Sequence, residues 1–393
     1  MPPLRFVAVI ALLAPVFTGQ EVPAASDLVT HEWGTFSSVA GSDGAPVRWA
    51  PLSGTPDLPC FVDHLSTHNL KYAPGLVRME TPVLYFYSPH PLVASVHVGF
   101  PRGWITEWYP QATKVTPEIS GARFPAALSG KAQADWDSIQ IAPSKTQLFP
   151  ATAGPSRYFA ARNTDATPIQ IGKQQEKFIF YRGMGDFDVA LQAKFLADGQ
   201  LQIRNTGPET IALAIVFENH AGTIGYRVLH SLSDTLYVNP SELGGTPESL
   251  RRELTGSLVE FGLYEKEALA MLDTWQDSWF DEGMRIFYIV PRSTVDSVLP
   301  LTITPQPAAT SRVFVGRVEL LSPSVRQTIT TALNTGDVDT LAKFGRFLNP
   351  FLGQIYLQTN PFQATAPSQR SNQYLQQAYI KMAKEQESAT CVK

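Results

Sequence analysis

The strict two-residue alternation between Phe187 and Phe195 constrains this chain more than any other stretch. Phe187, Val189, Leu191, Ala193 and Phe195 are interleaved with Asp188, Ala190, Gln192 and Lys194. Side chains of an extended strand alternate between its two faces, so this pattern predicts a strand with one face buried. Asp198-Gly199 predicts a tight hairpin turn with both residues at positive φ, and Leu201 and Ile203 alternate with Gln200, Gln202 and Arg204 on the return. A second turn, Asn205-Thr206-Gly207-Pro208, leads into the apolar run Ile211 to Phe217. Successive strands at this spacing predict an antiparallel sheet in a sandwich or barrel.

Upstream, Ala94, Val96, Val98 and Phe100 share one face of a strand from Val93 to Phe100. Val83 to Tyr87 is a continuous apolar run, as in a strand covered on both sides. Residues 111 to 156 show little periodicity and read as a long ordered connector. Thr246-Pro247 opens a helix that Gly262 breaks, and a second helix is predicted from about Tyr264 to Glu282, ending at Gly283. Strands return at 285–290 and 312–321. Beyond Ser322 the spacing is helical: Val325, Ile329 and Leu333 share a face, Asp337 caps a further helix carrying Leu341, Phe344 and Leu348, and a last amphipathic helix carries Leu375, Ala378, Tyr379 and Met382.

The expected fold is therefore mainly β with α additions: an antiparallel β-sandwich-like core with a helical insertion and C-terminal helices. Its expected segments are 1–24, a β-rich region 25–150, the sandwich 151–322 with its insertion 246–283, and a helical region 323–393.

The first 24 residues read as an address. One basic residue, Arg5, precedes the apolar run Phe6 to Phe17, and Val22-Pro23-Ala24 fits a small-x-small cleavage site. The run is too short to span a bilayer, which takes about 20 apolar residues. Export is expected, to a secreted or periplasmic location, with no membrane span after cleavage. A net charge of −4 and a sequence pI near 6.0 offer no basic surface for nucleic acid. Cys60 and Cys391 permit one disulfide in an oxidising compartment.

Motifs for zinc proteases, serine-hydrolase elbows, phosphate loops and calcium loops are absent from the sequence. Three weaker constellations remain. Asp273, Asp277 and Asp281 fall four apart on one helical stripe, with Trp275 and Trp279 on the apolar face and Glu282 behind them. Acids near a helix C-terminus oppose the macrodipole and call for a cation, for which Arg285 is at hand. Alternatively one carboxyl stays protonated and works as an acid. His31 and Glu32 lie beside Trp33 as a candidate acid/base pair, although on a strand they would face opposite ways; Glu107 beside Trp108 repeats the theme. Cys60, His64 and His68 would line one stripe if the segment were helical and could then offer zinc ligands. No metal or cofactor is expected; Cys60 cannot ligate as a thiolate if it is oxidised with Cys391.

Four words, Thr30 to Phe36 (THEWGTF), Arg78 to Tyr87 (RMETPVLYFY), Thr106 to Pro110 (TEWYP) and Ser278 to Gly283 (SWFDEG), resemble uncharacterised secreted bacterial proteins with a His-Glu-Trp-Gly-Thr-Phe motif near the N-terminus. The resemblance implies export from a bacterium and gives no residue a role. Low charge and acids beside aromatics suit recognition of an extracellular or cell-envelope ligand such as carbohydrate, with Trp33, Trp108, Trp275, Trp279, Glu107 and Arg285 as candidate contacts. A secreted hydrolase using a carboxylate pair among Glu282, Asp281, Asp277, Glu107 and Glu32 is the alternative. A structural or assembly component docking through the last helix is a third.

Overall fold

The computed structural model describes residues 27–52, 57–65, 74–116, 132–141, 148–152, 156–359 and 369–386. The expected signal peptide, His68 and Cys391 lie outside the described residues.

The fold is mainly β, with helices added. A nine-stranded sheet runs in the spatial order Thr223–Leu232, Ile211–His220, Gly283–Ile289, Ala309–Leu320, Val29–Val39, Val77–Tyr87, Phe178–Gly185, Gly103–Tyr109 and Asp63–His64. All its neighbours are antiparallel except the central pair, Val29–Val39 with Ala309–Leu320, which is parallel. The sheet therefore takes strands from both sides of residue 150, with the strand from Val29 at its centre.

One face of this sheet packs against a second β layer. That layer comprises a six-stranded sheet built around Leu92–Phe100 and Ala132–Ile141, and a three-stranded sheet of Leu191–Phe195, Leu201–Asn205 and Thr235–Val238. Phe36, Ile105, Tyr181 and Phe314 of the large sheet meet Val96, Phe100, Trp136, Leu191 and Ile203 in one apolar core. Burial of such side chains, at about 25 cal/mol per Å², is what holds two sheets face to face.

The other face carries helices. Helix α1 (Pro247–Glu260) begins at Thr246, whose hydroxyl accepts the Ser249 amide at 3.2 Å while Ser249 Oγ accepts the Thr246 amide at 2.9 Å. Leu250, Leu254 and Leu258 follow at four-residue spacing and are buried. Helix α2 (Glu265–Trp279) buries Ala268, Met271, Leu272, Trp275 and Trp279 against Trp33, Val83, Tyr85, Phe287 and Val315 of the sheet. After α3 (Arg292–Val298), a C-terminal group of α4 (Pro323–Thr335), α5 (Val338–Ala342), α6 (Leu348–Thr359) and α7 (Gln369–Gln386) forms a separate apolar cluster with Val39 and Trp49. Leu375 and Ala378 of α7 are buried in that cluster, so much of the face expected to dock a partner already packs against its own chain.

Three elements differ from the sequence reading. The hairpin after Phe195 closes through Leu196 and Gln200 (2.8 Å), and only Gly199 has positive φ (+85°). Three residues, Ala197, Asp198 and Gly199, lie between them, one more than in a two-residue turn, so a single left-handed residue suffices. The connector 111–156 contains the strands Lys114–Thr116 and Ala132–Ile141. In the latter, Ser138 at φ +57° and a register shift opposite Ala94–Val96 break the alternation of Ala134, Trp136, Ile139 and Ile141. A bulge reverses the phase of a two-residue pattern and hides it from periodicity. Finally, α2 stops at Trp279, short of Glu282, because Arg285 takes up the carbonyls at its end, as described below.

Candidate functional site

On the helix-bearing face, the strands change from apolar to charged along a slanting band between the α1–α2 layer and the C-terminal helices. Trp33 gives way to Thr35 and Ser37, Val83 to Glu80 and Arg78, Val315 to Arg317 and Glu319, Phe287 to Arg285, Phe180 to Arg182, and Tyr109 to Glu107. Asp57 and Arg346 close over this band from the flanking segments. Registers bring the rows together: Thr35 pairs with Glu80 and Val315, and Ser37 with Arg78 and Arg317. The aligned irregularities at Trp33/Thr35, Phe180/Gly183 and Arg182/Gly183 lie here, beside Thr81 at φ +43°. Such bulges re-aim side chains where a regular ladder would fix them.

Two hubs organise the seam. Arg182 grips Asp57 with both terminal nitrogens at 2.6 and 3.0 Å, and Arg346 reaches Glu80 at 3.1 Å. Glu319 Oε1 accepts a hydrogen bond from Arg317 Nε at 2.6 Å and is ion-paired with Arg285, whose Nε lies 2.8 Å away. Arg317 continues to Ser278 Oγ at 2.7 Å, and its guanidinium lies 4.7 Å from the Phe347 ring centre. Arg285 donates to the carbonyls of Trp279 (2.6 Å), Asp281 (2.9 Å) and Glu282 (3.0 Å). This buried cation therefore caps the negative end of α2 through backbone oxygens.

Arg78 is less well served. It is 5% exposed and donates from Nη1 to the Pro51 carbonyl at 2.8 Å, while Glu80 and Glu107 stand off at 3.8 and 3.7 Å. Its Nε and the hydroxyls of Thr35 and Ser37 are buried without a hydrogen-bond partner among the described residues. Buried polar groups are normally paired, and an orphan costs about 1–3 kcal/mol.

Charge and burial compete throughout. Burial pushes the Asp57 carboxyl up, but Arg182, Arg346 and Arg78 together hold it well below the usual carboxylate range. Glu80 is lowered too, since Arg346, Arg78 and Arg182 outweigh its burial. Burial pushes Arg285 down to about 10 and raises the Asp281 carboxyl against the pull of Arg285 and Arg317. A carboxyl whose folded pKa is depressed stabilises the fold above its unfolded pKa, and that contribution is lost as pH falls toward the folded value. Urea unfolding should thus show stability declining from about pH 5 to pH 2, more shallowly in Asp57→Asn. Asp281 titrates in the opposite sense, so Asp281→Asn should steepen the acid loss.

The residues singled out from sequence are dispersed. Trp33, Trp275 and Trp279 are at most 1% exposed, so none offers a ring face to a sugar; Trp275 and Trp279 stack on each other at 6.4 Å. Trp108 packs toward the inter-sheet core, whereas Glu107 joins the seam and also receives the Thr106 hydroxyl. Asp281 has left the helical stripe. Asp273 pairs with Arg251 at 2.5 Å, and Asp277 is exposed, 4.0 Å from Arg157. Glu282 receives the Ala221 amide at 3.0 and 3.1 Å, with His220 at 3.5 Å. Glu32 faces the other side of the sheet, bonded to Arg312 at 2.5 Å and to the Tyr181 hydroxyl. His31, on the helix side, binds Glu267 instead.

Residues 60–65 are a turn and a two-residue strand, so Cys60 and His64 share no helical stripe. Cys60 is disulfide-bonded. Among the described residues no three His, Cys, Asp or Glu side chains are placed to share a metal ion, and no helix is long and apolar enough to cross a membrane.

Sequence reasoning missed Asp57, Arg78, Glu80, Arg182, Arg317, Glu319 and Arg346. The available signal was charge inside otherwise apolar strands, as in Arg312 to Leu320 (RVFVGRVEL).

No family model and no curated protein matches the chain. One solved structure that it resembles is the yeast delta-COP-I mu-homology domain complexed with a Dsl1 WxWxV peptide. At 8% identity, over 76% of this chain and 98% of that one, the TM-score is 0.27, too low to carry an argument.

Proposed function

We propose that this chain is an exported bacterial protein, secreted or periplasmic, that recognises a hydroxyl-rich acidic ligand such as an envelope uronate at the polar seam. The observation that carries the reading is the trio of Arg78, Thr35 and Ser37, buried with unused hydrogen-bonding capacity. A guanidinium suits a carboxylate, and neighbouring hydroxyls and acids suit sugar hydroxyls. Guanidiniums (Arg78, Arg182, Arg285, Arg317, Arg346) and carboxylates (Asp57, Glu80, Glu107, Glu319, with Asp281 at the edge) alternate along the seam, and Arg78 is the cation whose acids stand off, at 3.7 and 3.8 Å. Arg78, Thr35 and Ser37 are at most 5% exposed, so a ligand would reach them only by parting the partly exposed side chains of Glu107, Asp57 and Arg346. Recognition here rests on charge and hydroxyls, since the tryptophans are in the core.

The test is thermal melting of the whole chain with an oligouronate and with its neutral counterpart. A ligand at 100 times its Kd adds about 2.7 kcal/mol to a native state, which moves the melting temperature visibly. The oligouronate should raise it more than the neutral sugar. Arg78→Gln should abolish that rise. Thr35→Val, which deletes an orphan hydroxyl at nearly constant shape, should stabilise the free chain by about 1 kcal/mol and weaken the response. Equal melting with and without both sugars would end this reading.

A further inference from the structure

At the far end of α2 from the seam, about 22 Å away by helix length, a second cluster has the parts of an acyl-transfer site. His31 Nδ1 lies 2.8 Å from Glu267 Oε2. Glu267 is fully buried and also accepts the Tyr87 hydroxyl at 2.7 Å and the Tyr264 amide at 2.7 Å. Burial, and then the Glu267 charge, push the Tyr87 hydroxyl well up, so it remains a donor to that carboxylate. A carboxylate on Nδ1 sets the neutral imidazole with its lone pair on Nε2, the arrangement of an oriented base.

Ser311 is the in-register neighbour of His31 on the one parallel strand pair of the large sheet, about 4.8 Å away along the hydrogen-bonding direction. Its hydroxyl faces the helix layer, as His31 does: a Cβ built on Gly262 would come 2.7 Å from Ser311 Oγ. Gly262, at φ +110°, thus lets the α1–α2 turn come close to that hydroxyl. The ring of Tyr264, 50% exposed, lies 4.4 Å from the His31 ring and forms a lip. Helix α2 starts here, and the N-terminal end of a helix favours a developing negative charge.

We propose that Ser311 is a nucleophile, His31 its general base and Glu267 the positioning residue of a site that hydrolyses carboxylic esters. The Ser311 proton passes to His31 Nε2 as Oγ bonds to the acyl carbon. The ester C–O bond then breaks, and the leaving oxygen takes that proton as the alcohol departs. Water repeats the sequence: one proton goes to His31, its oxygen bonds to the acyl carbon, and Ser311 leaves reprotonated, yielding the acid. Among the described residues no hydrogen bond joins Ser311 to His31, and such contacts commonly tighten only with substrate in place.

The experiment treats the whole folded chain with a fluorophosphonate, which bonds phosphorus to an activated serine oxygen with loss of fluoride, and maps the adduct by peptide mass spectrometry. The expected result is one adduct, on Ser311. It should vanish in Ser311→Ala at an unchanged melting temperature and form at least tenfold more slowly in Glu267→Gln. A wild-type chain that stays unmodified, or is modified at another residue, overturns the proposal whatever the variants do. The readout is independent of the oligouronate test, so either reading can fail alone.

Discussion

Glu319→Gln is expected to lower folding stability by about 3–5 kcal/mol, the usual consequence of removing one partner from a buried ion cluster. One oxygen of Glu319 serves both Arg285 and Arg317, whose side chains are 2% and 3% exposed. Without the carboxylate, two guanidiniums face each other in a medium that screens them poorly. Arg285 already sits below its ordinary pKa because of burial, so it has little margin. The loss also reaches α2, because Arg285 holds the carbonyls of Trp279, Asp281 and Glu282. Urea unfolding followed by tryptophan fluorescence would measure it. Glu319→Gln combined with Arg317→Met should recover part of the loss, since the like-charge repulsion is then gone. A loss under about 1 kcal/mol would mean that the seam is hydrated enough to tolerate an unpaired guanidinium.

Gly103→Ala should be about as damaging, at about 3 kcal/mol or more, for a steric reason. A Cβ at Gly103 would press on the Met184 carbonyl oxygen and lie 3.0 Å from the Gly185 Cα. Both obstacles are backbone of the adjacent strand, so no side chain can turn away. Gly103 pairs directly with Gly185, and Gly183 and Gly185 are similarly crowded by the backbone of Trp104 and Arg102. Gly256→Ala provides the opposite sign. That glycine lies inside α1 with nothing within 4 Å of a new Cβ, so alanine should stabilise by about 0.5–1 kcal/mol. Parallel denaturation of the two variants separates crowding from backbone entropy. If Gly103→Ala melted like the wild type, the close approach of these two strands would be wrong.

What sequence determined by itself is the local order of this chain. The alternation of Leu191 and Ala193, the Thr246-Pro247 helix start, the capping by Asp337, and the shared face of Val325, Ile329 and Leu333 all appear as read. Each depends on neighbours within a few residues, where steric and hydrogen-bonding preferences act directly. Part of the seam was legible for the same reason: acids at the end of α2 demand a cation, and Arg285 is four residues beyond Asp281. Only the tertiary structure decided that Arg285 answers backbone oxygens and shares Glu319 with Arg317. It alone placed Arg78 of one strand beside Ser37 of another and brought Asp57 and Arg346 over them. Strand alternation already set His31 and Glu32 on opposite faces, but only the fold brought His31 to Glu267, 236 residues distant. Strand order and register are set by burial summed over the whole sheet, and a two-residue period fixes which face a residue takes without naming the strand beside it.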